Sequence, residues 1–180
     1  MMPQRGVDYA NTDTIKAPGV AGFTQAKNVG TRIVIPRAIF GGTKAPSRDT
    51  YWERDKEAII AAGLNRSAYL FLTVPTKANP KSPEPAVQVK AFVDYVGTDL
   101  KMPVLGRRQQ SMVPFFDVEM HSDVFTAEQY YEWVLEAARL LRAYYGAWPG
   151  IYTSNRVWTE ELGSHAAGKL ISCPMWIAKP

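Results

Sequence analysis

An α/β protein whose parallel strands close into a TIM-like β/α barrel is the fold that this 180-residue sequence predicts. Three observations carry that expectation. Short runs rich in β-branched and aromatic residues alternate with longer segments of helical periodicity, the pattern of a parallel sheet with helical crossovers. No G-x-G-x-x-G turn follows the first strand and no G-x-x-x-x-G-K-[ST] loop occurs anywhere, which removes the usual marks of a doubly wound nucleotide-binding sheet. Polar and aromatic residues also collect at the C-terminal ends of several strands: Asp8, Arg37, Tyr69, Asp117, Glu119, Tyr152 and Trp176. A β/α barrel assembles its site from such strand ends.

The first strand is expected at Arg5–Tyr9 and the second at Arg32–Ile39, where Pro36 calls for a bulge or an early strand end. A helix over Thr50–Ala62 follows, opened by the capping pattern Thr50-x-x-Glu53 and stopped by Gly63. The third strand is Ser67–Leu72. A loop with Pro75, Pro80, Pro83 and Pro85 leads into a helix over Glu84–Val96, with Val89, Phe92, Val93 and Val96 on one face. The fourth strand is Val113–Glu119. The longest helix is expected at Ala127–Tyr145, capped by Thr126-x-x-Gln129 and ended by Gly146. Its Tyr130, Trp133, Val134, Ala137, Leu140, Leu141 and Tyr144 repeat at a helical spacing and form a core-facing stripe. Gly150–Thr153, a short helix near Val157–Leu162, and a last strand at Met175–Ala178 complete the series.

Composition narrows the function classes. With 46% apolar and 21% charged residues the chain has ordinary globular usage and enough length for one domain spanning residues 1–180. No apolar run is long enough to cross a bilayer, and no apolar segment follows the first residues as a secretory signal would require. The net charge of +4 favours approach to polyanions, acidic wall polymers among them. Its lysines and arginines are scattered rather than striped, so neither a nucleic-acid partner nor a membrane is expected. The single cysteine, Cys173, excludes an intrachain disulfide and reads as a small buried thiol. The two histidines, His121 and His165, lie at no metal-ligand spacing, and no G-x-S-x-G elbow is present. No metal and no organic cofactor is expected.

The segment Val113-Pro114-Phe115-Phe116-Asp117-Val118-Glu119 is the most informative. An apolar strand here ends in two acids at i and i+2, which share one face with Cα atoms ~6.5 Å apart. Two neighbouring carboxylates in a poorly solvated site separate their pKa values, so one can hold a proton while the other stays ionised. That division of labour is what cleavage of a glycosidic bond needs. The plain alternative is a pair of strand-end acids facing water. Asp8 would face the same mouth as a third carboxylate; its plain alternative is a turn-capping aspartate. Tyr69, Tyr152 and Trp176 present rings on which the apolar faces of sugars could pack, whereas Phe71 reads as core.

These residues, in this order, resemble glycoside hydrolase family 25, lysozymes (muramidases) often encoded by bacteriophages. The resemblance runs from Gly6 to about Lys179. It rests on Gly6-Val7-Asp8, Ile33-Val34-Ile35-Pro36-Arg37-Ala38, Ala61-Ala62-Gly63-Leu64 before Ala68-Tyr69-Leu70-Phe71, the D-x-E motif of Asp117 and Glu119, Gly150-Ile151-Tyr152-Thr153-Ser154, and Met175-Trp176-Ile177-Ala178. It implies a β/α barrel that cleaves the β-1,4 bond between N-acetylmuramic acid and N-acetylglucosamine in peptidoglycan glycan strands. By motif position Glu119 matches the general acid, Asp117 the carboxylate that assists the substrate's acetamido group, and Asp8 the N-terminal acid. Arg37, Tyr69, Tyr152 and Trp176 are the expected substrate contacts.

Two departures accompany the resemblance. The family often carries Tyr-His-Phe where this chain has Tyr69-Leu70-Phe71. It also usually continues past the W-I-A strand into a W-Q-Y segment and a D-x-N strand, whereas this chain ends at Pro180. The expectation is therefore a barrel with its C-terminal strands truncated, supplied by another polypeptide, or left open. The biological setting expected is a lysin made in a host cytoplasm and acting on the bacterial wall, phage-released or virion-associated. A non-catalytic glycan-binding barrel and a chitinase-like barrel hydrolase are the competing functions.

Overall fold

The computed structural model describes residues 5–9, 18–100, 112–163 and 168–178, the first of these segments by its backbone alone. In chain order the strands are β1 (Arg5–Tyr9), β2 (Thr31–Phe40), β3 (Ser47–Arg48), β4 (Asn65–Arg66), β5 (Tyr69–Phe71), β6 (Phe115–Val118), β7 (Gly150–Ser154) and β8 (Met175–Ala178). The helices are α1 (Gly19–Asn28), α2 (Thr50–Ala61), α3 (Pro85–Val96) and α4 (Ala127–Tyr145).

Strand order is β1-β2-β5-β6-β7-β8, all parallel, with the two-residue strands β3 and β4 attached to β2. Each strand lies beside its successor along the main path, so the sheet is wound in one direction. A doubly wound sheet reverses its order at a switch point, and none occurs here. Among the described residues β1 pairs only with β2 and β8 only with β7.

The two faces of the sheet differ in what covers them. On the outer face Leu70, Phe116, Val118 and Ile151 pack with Phe92 and Val96 of α3 and Val134 and Leu141 of α4. Val34 of β2 packs with Phe23 of α1 and Ile59 of α2 in a second cluster. The inner face carries a small cluster made of strand residues alone: Ile35, Tyr69 and Phe115, with Ile33, Phe71 and Trp176 against them. Alternation along β6 produces the split, because Phe116 and Val118 point outward while Phe115 and Asp117 point inward. Helices on one face and side chains filling the other are the arrangement of a β/α barrel, as the sequence predicts.

Local chemistry explains the boundaries. Pro36 is accommodated by a register shift in the β2–β5 pairing between Arg37 and Ile39, the bulge that the proline calls for. At the start of α2 the cap is Asp49, whose carboxylate accepts from the Tyr51 N–H at 2.9 Å. The capping pattern at Thr50 is thereby displaced by one residue. Gly63 (φ +71) ends that helix in a Schellman turn: its N–H donates to Ile60 and the Leu64 N–H to Ile59. In α4 the expected capping box is present, with Thr126 and Gln129 satisfying each other's backbone N–H. Burial on α4 is wider than the expected stripe and takes in Tyr131, Leu135, Ala138 and Tyr145. The helix is gripped from both flanks: the Tyr145 hydroxyl donates to Gly97 at 2.9 Å, and the Tyr131 hydroxyl accepts from the Lys169 N–H at 2.9 Å. Each fully buried large side chain in this layer contributes roughly 1.5–3 kcal/mol.

Candidate active site

Strand register builds the site. Phe71, Asp117, Tyr152 and Trp176 are successive Cα partners across β5, β6, β7 and β8, forming one row at the C-terminal end of the sheet. Beneath them runs a second row, Tyr69, Phe115 and Gly150. Neighbouring strands lie about 4.8 Å apart, so the residues of a row stand side by side. Together Ile35, Tyr69, Phe115, Asp117, Tyr152 and Trp176 line a small recess that opens to solvent. The Tyr152 and Trp176 rings meet edge-to-face at 5.5 Å. Gly150 admits this packing, because a Cβ there would stand 2.2 Å from the Phe115 ring.

Asp117 is 7% exposed in the upper row of the recess. Glu119, two residues on and just beyond the end of β6, is exposed. The expectation of two buried acids therefore holds for Asp117 alone. Asp117 is thus held among aromatic rings while Glu119 faces solvent. Around Glu119 the backbone is pinned. The Val118 carbonyl accepts from Thr153 Oγ1 at 2.6 Å, and the Met120 carbonyl accepts from the Tyr130 hydroxyl at 2.7 Å. Burial, then the charges of Glu161 and Asp117, push the Tyr130 phenol well above its ordinary pKa, so it stays a donor across the neutral range.

The other expected site residues fall as follows. Tyr69, Tyr152 and Trp176 lie in the recess wall. Arg37 is a register partner of Tyr69, and its Nε donates to Asp49 at 3.1 Å. Asp8 is a register partner of Ile35 on β1, and its side chain lies outside the described residues. His165 also lies outside them. The Cys173 thiol is buried and pushed up to about 11 by that burial, which makes it a poor nucleophile. Among the described residues no group of three His, Cys, Asp or Glu is arranged to hold a metal ion, and no helix is long and apolar enough to cross a membrane.

Three contributors escaped the sequence reading. Phe115 and Ile35 are recess walls that looked like ordinary strand core. Glu161 contacts His121 across forty positions of chain, and no short-range pattern announces it.

Residues 11–179 match the family described as glycosyl hydrolases family 25. The chain belongs to that family. Glycosyl hydrolase family 25 comprises the lysozymes, or muramidases, so the chain is a member of an enzyme family. Solved structures share the fold. A muramidase from Trichobolus zukalii superposes with a TM-score of 0.75 at 22% identity, over 97% of this chain and 76% of that one. A family GH25 lysozyme from Aspergillus fumigatus gives 0.74 at 22% identity, over 97% and 76%. The bacterial lysozyme from Streptomyces coelicolor gives 0.73 at 18%, over 97% and 73%. This family 25 chain thus spans about three quarters of the length of those relatives. No curated protein matches it at the level of sequence.

Proposed function

We propose that this family 25 chain is an N-acetylmuramidase, cleaving the β-1,4 bond between N-acetylmuramic acid and N-acetylglucosamine in peptidoglycan. The observation that carries the reading is the pairing of a buried carboxylate, Asp117, in an aromatic-walled recess with an exposed one, Glu119, two residues further along the chain. A sugar ring laid on Tyr152 and Trp176 would bring its reacting carbon over the Asp117 row.

In the proposed reaction the substrate's acetamido oxygen attacks the anomeric carbon, and Asp117 orients and stabilises that group. The glycosidic C–O bond breaks as Glu119 gives its proton to the leaving oxygen. Water then attacks the same carbon, returning a proton to Glu119 and releasing the acetamido group. The proton that Glu119 gives up is thus restored by the attacking water within each cycle. The net charge of +4 supports a wall-directed role, because Gram-positive walls carry acidic polymers. The biological setting we propose is a phage lysin, released from or carried by the particle.

Glu119→Gln tests the assignment. Wall lysis should cease while the melting temperature is unchanged; lysis at the wild-type rate refutes the acid role. Binding of peptidoglycan by the wild-type chain without release of reducing ends would favour a glycan-binding barrel instead. Cleavage of chitin oligomers in preference to muropeptides would favour the chitinase-like alternative.

A further inference from the structure

Glu119 lies one residue past the last ladder position of β6. The residues around it are tied to β7, to α4 and to the loop after β5. Thr153 of β7 holds the Val118 carbonyl and Tyr130 of α4 holds that of Met120. The Ser122 hydroxyl donates to the Pro75 carbonyl at 2.7 Å, and Asp123 accepts from the Lys77 N–H at 2.7 Å, both in the loop after β5. Between these ties His121 Nδ1 meets the Glu161 carboxylate.

That contact differs from the others. It joins two side chains, and its partners are unequally placed: Glu161 is 12% exposed, His121 57%. The exposed ring thus reaches back to a mostly buried acid. Glu161 closes a π-helical turn, Val157–Glu161, in which the Leu162 N–H donates to Val157 at 3.0 Å. Such turns are rare and concentrate at functional sites. Arg156 faces Glu161 at 3.7 Å and also Glu160 at 3.7 Å, while the phenol of Tyr130 senses the Glu161 charge.

We infer that Glu161, acting through His121, is a positioning residue that holds the segment carrying Glu119 in its reactive place. The inference rests on the acid role proposed for Glu119. Placement of an acid to within a fraction of an ångström matters for rate far more than for substrate affinity.

The test compares Glu161→Ala, Glu161→Gln, His121→Ala and the Glu161→Ala/His121→Ala double variant, with Glu119→Gln as control, on soluble glycan-chain fragments. Glu161→Ala and His121→Ala should each lower kcat about 10- to 100-fold, with KM within about twofold of wild type. The double variant should be no worse than Glu161→Ala alone, since the two changes share the His121–Glu161 contact. Glu161→Gln, whose amide oxygen still accepts from the imidazole N–H, should recover most of the rate. A loss confined to KM, multiplicative effects in the double variant, or wild-type kcat in both single variants would overturn the inference. Should Glu161→Ala not fold, His121→Ala alone decides by the same kcat criterion, because its side chain is exposed. An active Glu119→Gln would sink the acid assignment itself. An inactive Glu119→Gln beside fully active Glu161 and His121 variants would sink only the positioning role.

Discussion

Arg37 Nε donates to Asp49 Oδ2 at 3.1 Å, with the two side chains 11% and 1% exposed. The same aspartate caps α2 through Tyr51, and its carbonyl accepts from the Tyr95 hydroxyl at 3.1 Å. One buried side chain thus ties the mouth end of β2 to α2, and its own backbone ties both to α3. Asp49→Ala should cost about 3–5 kcal/mol, because it removes one half of a buried ion pair together with the cap of α2. Thermal unfolding measures it. Arg37→Ala separates bracing from substrate contact: a lowered melting temperature with unchanged KM marks a brace. A raised KM at unchanged stability would support the expected role in binding.

Asp117→Asn keeps the size of the side chain and removes its charge. If Asp117 supports the acetamido group, kcat should fall at least about a hundredfold, as when an electrostatic stabiliser is lost. Stability should hold or rise slightly, since a carboxylate is dearer to bury than an amide. A loss of only a few-fold would reduce Asp117 to a structural part of the recess.

Trp176→Ala takes away the outermost ring of the row and the edge-to-face partner of Tyr152. An aromatic contact of this kind is worth about 0.5–1.5 kcal/mol. KM for glycan fragments should rise about two- to tenfold, with little change in kcat. An unchanged KM would place the sugar elsewhere.

Gly150→Ala forces a Cβ into the Phe115 ring, 2.2 Å away. Overpacking of this sort costs about 1–3 kcal/mol and should push Phe115 into the recess, lowering activity as well. Adding Phe115→Leu should recover part of the stability. A fully stable Gly150→Ala would show that the ring moves freely.

Alkaline stability follows from buried acids that are neutral when protonated. Burial pushes the Cys173 thiol from 9.0 up to about 11, and burial also raises the phenols of Tyr130 and Tyr145. The folded chain holds these protons more tightly than the unfolded one. Their contribution is full below the unfolded thiol pKa and is lost as pH rises through about 11. Urea midpoints should fall across that window, and Cys173→Ala should flatten the early part of the decline. A midpoint independent of pH there would contradict the burial-driven shift.

Parts of this fold announced themselves in the sequence because local and tertiary signals agreed. The bounds of α4 were readable from Thr126, Gln129 and Gly146, and those of β8 from an isolated apolar run. Helix α1 was invisible because only Phe23 is buried on it, which leaves no stripe to detect. The α2 cap was misplaced by one residue because Asp49 and Thr50 are both good caps, and the choice between them depends on Arg37. Of the site, the acid pair and the three aromatic walls were legible as strand-end chemistry. The unequal burial of Asp117 and Glu119 was not, since it depends on where β6 stops pairing. Nor was the His121–Glu161 contact, which only the π-helical turn brings about.

The helix-backed side of the sheet and the recess side share strands but not neighbours: Phe116 and Val118 answer to α3 and α4, while Phe115 and Asp117 answer to the recess. The consequence is evolutionary latitude. Recess positions such as 152 and 176 can drift while the apolar layer that secures folding stays untouched, so this architecture separates what shapes the recess from what holds the chain together.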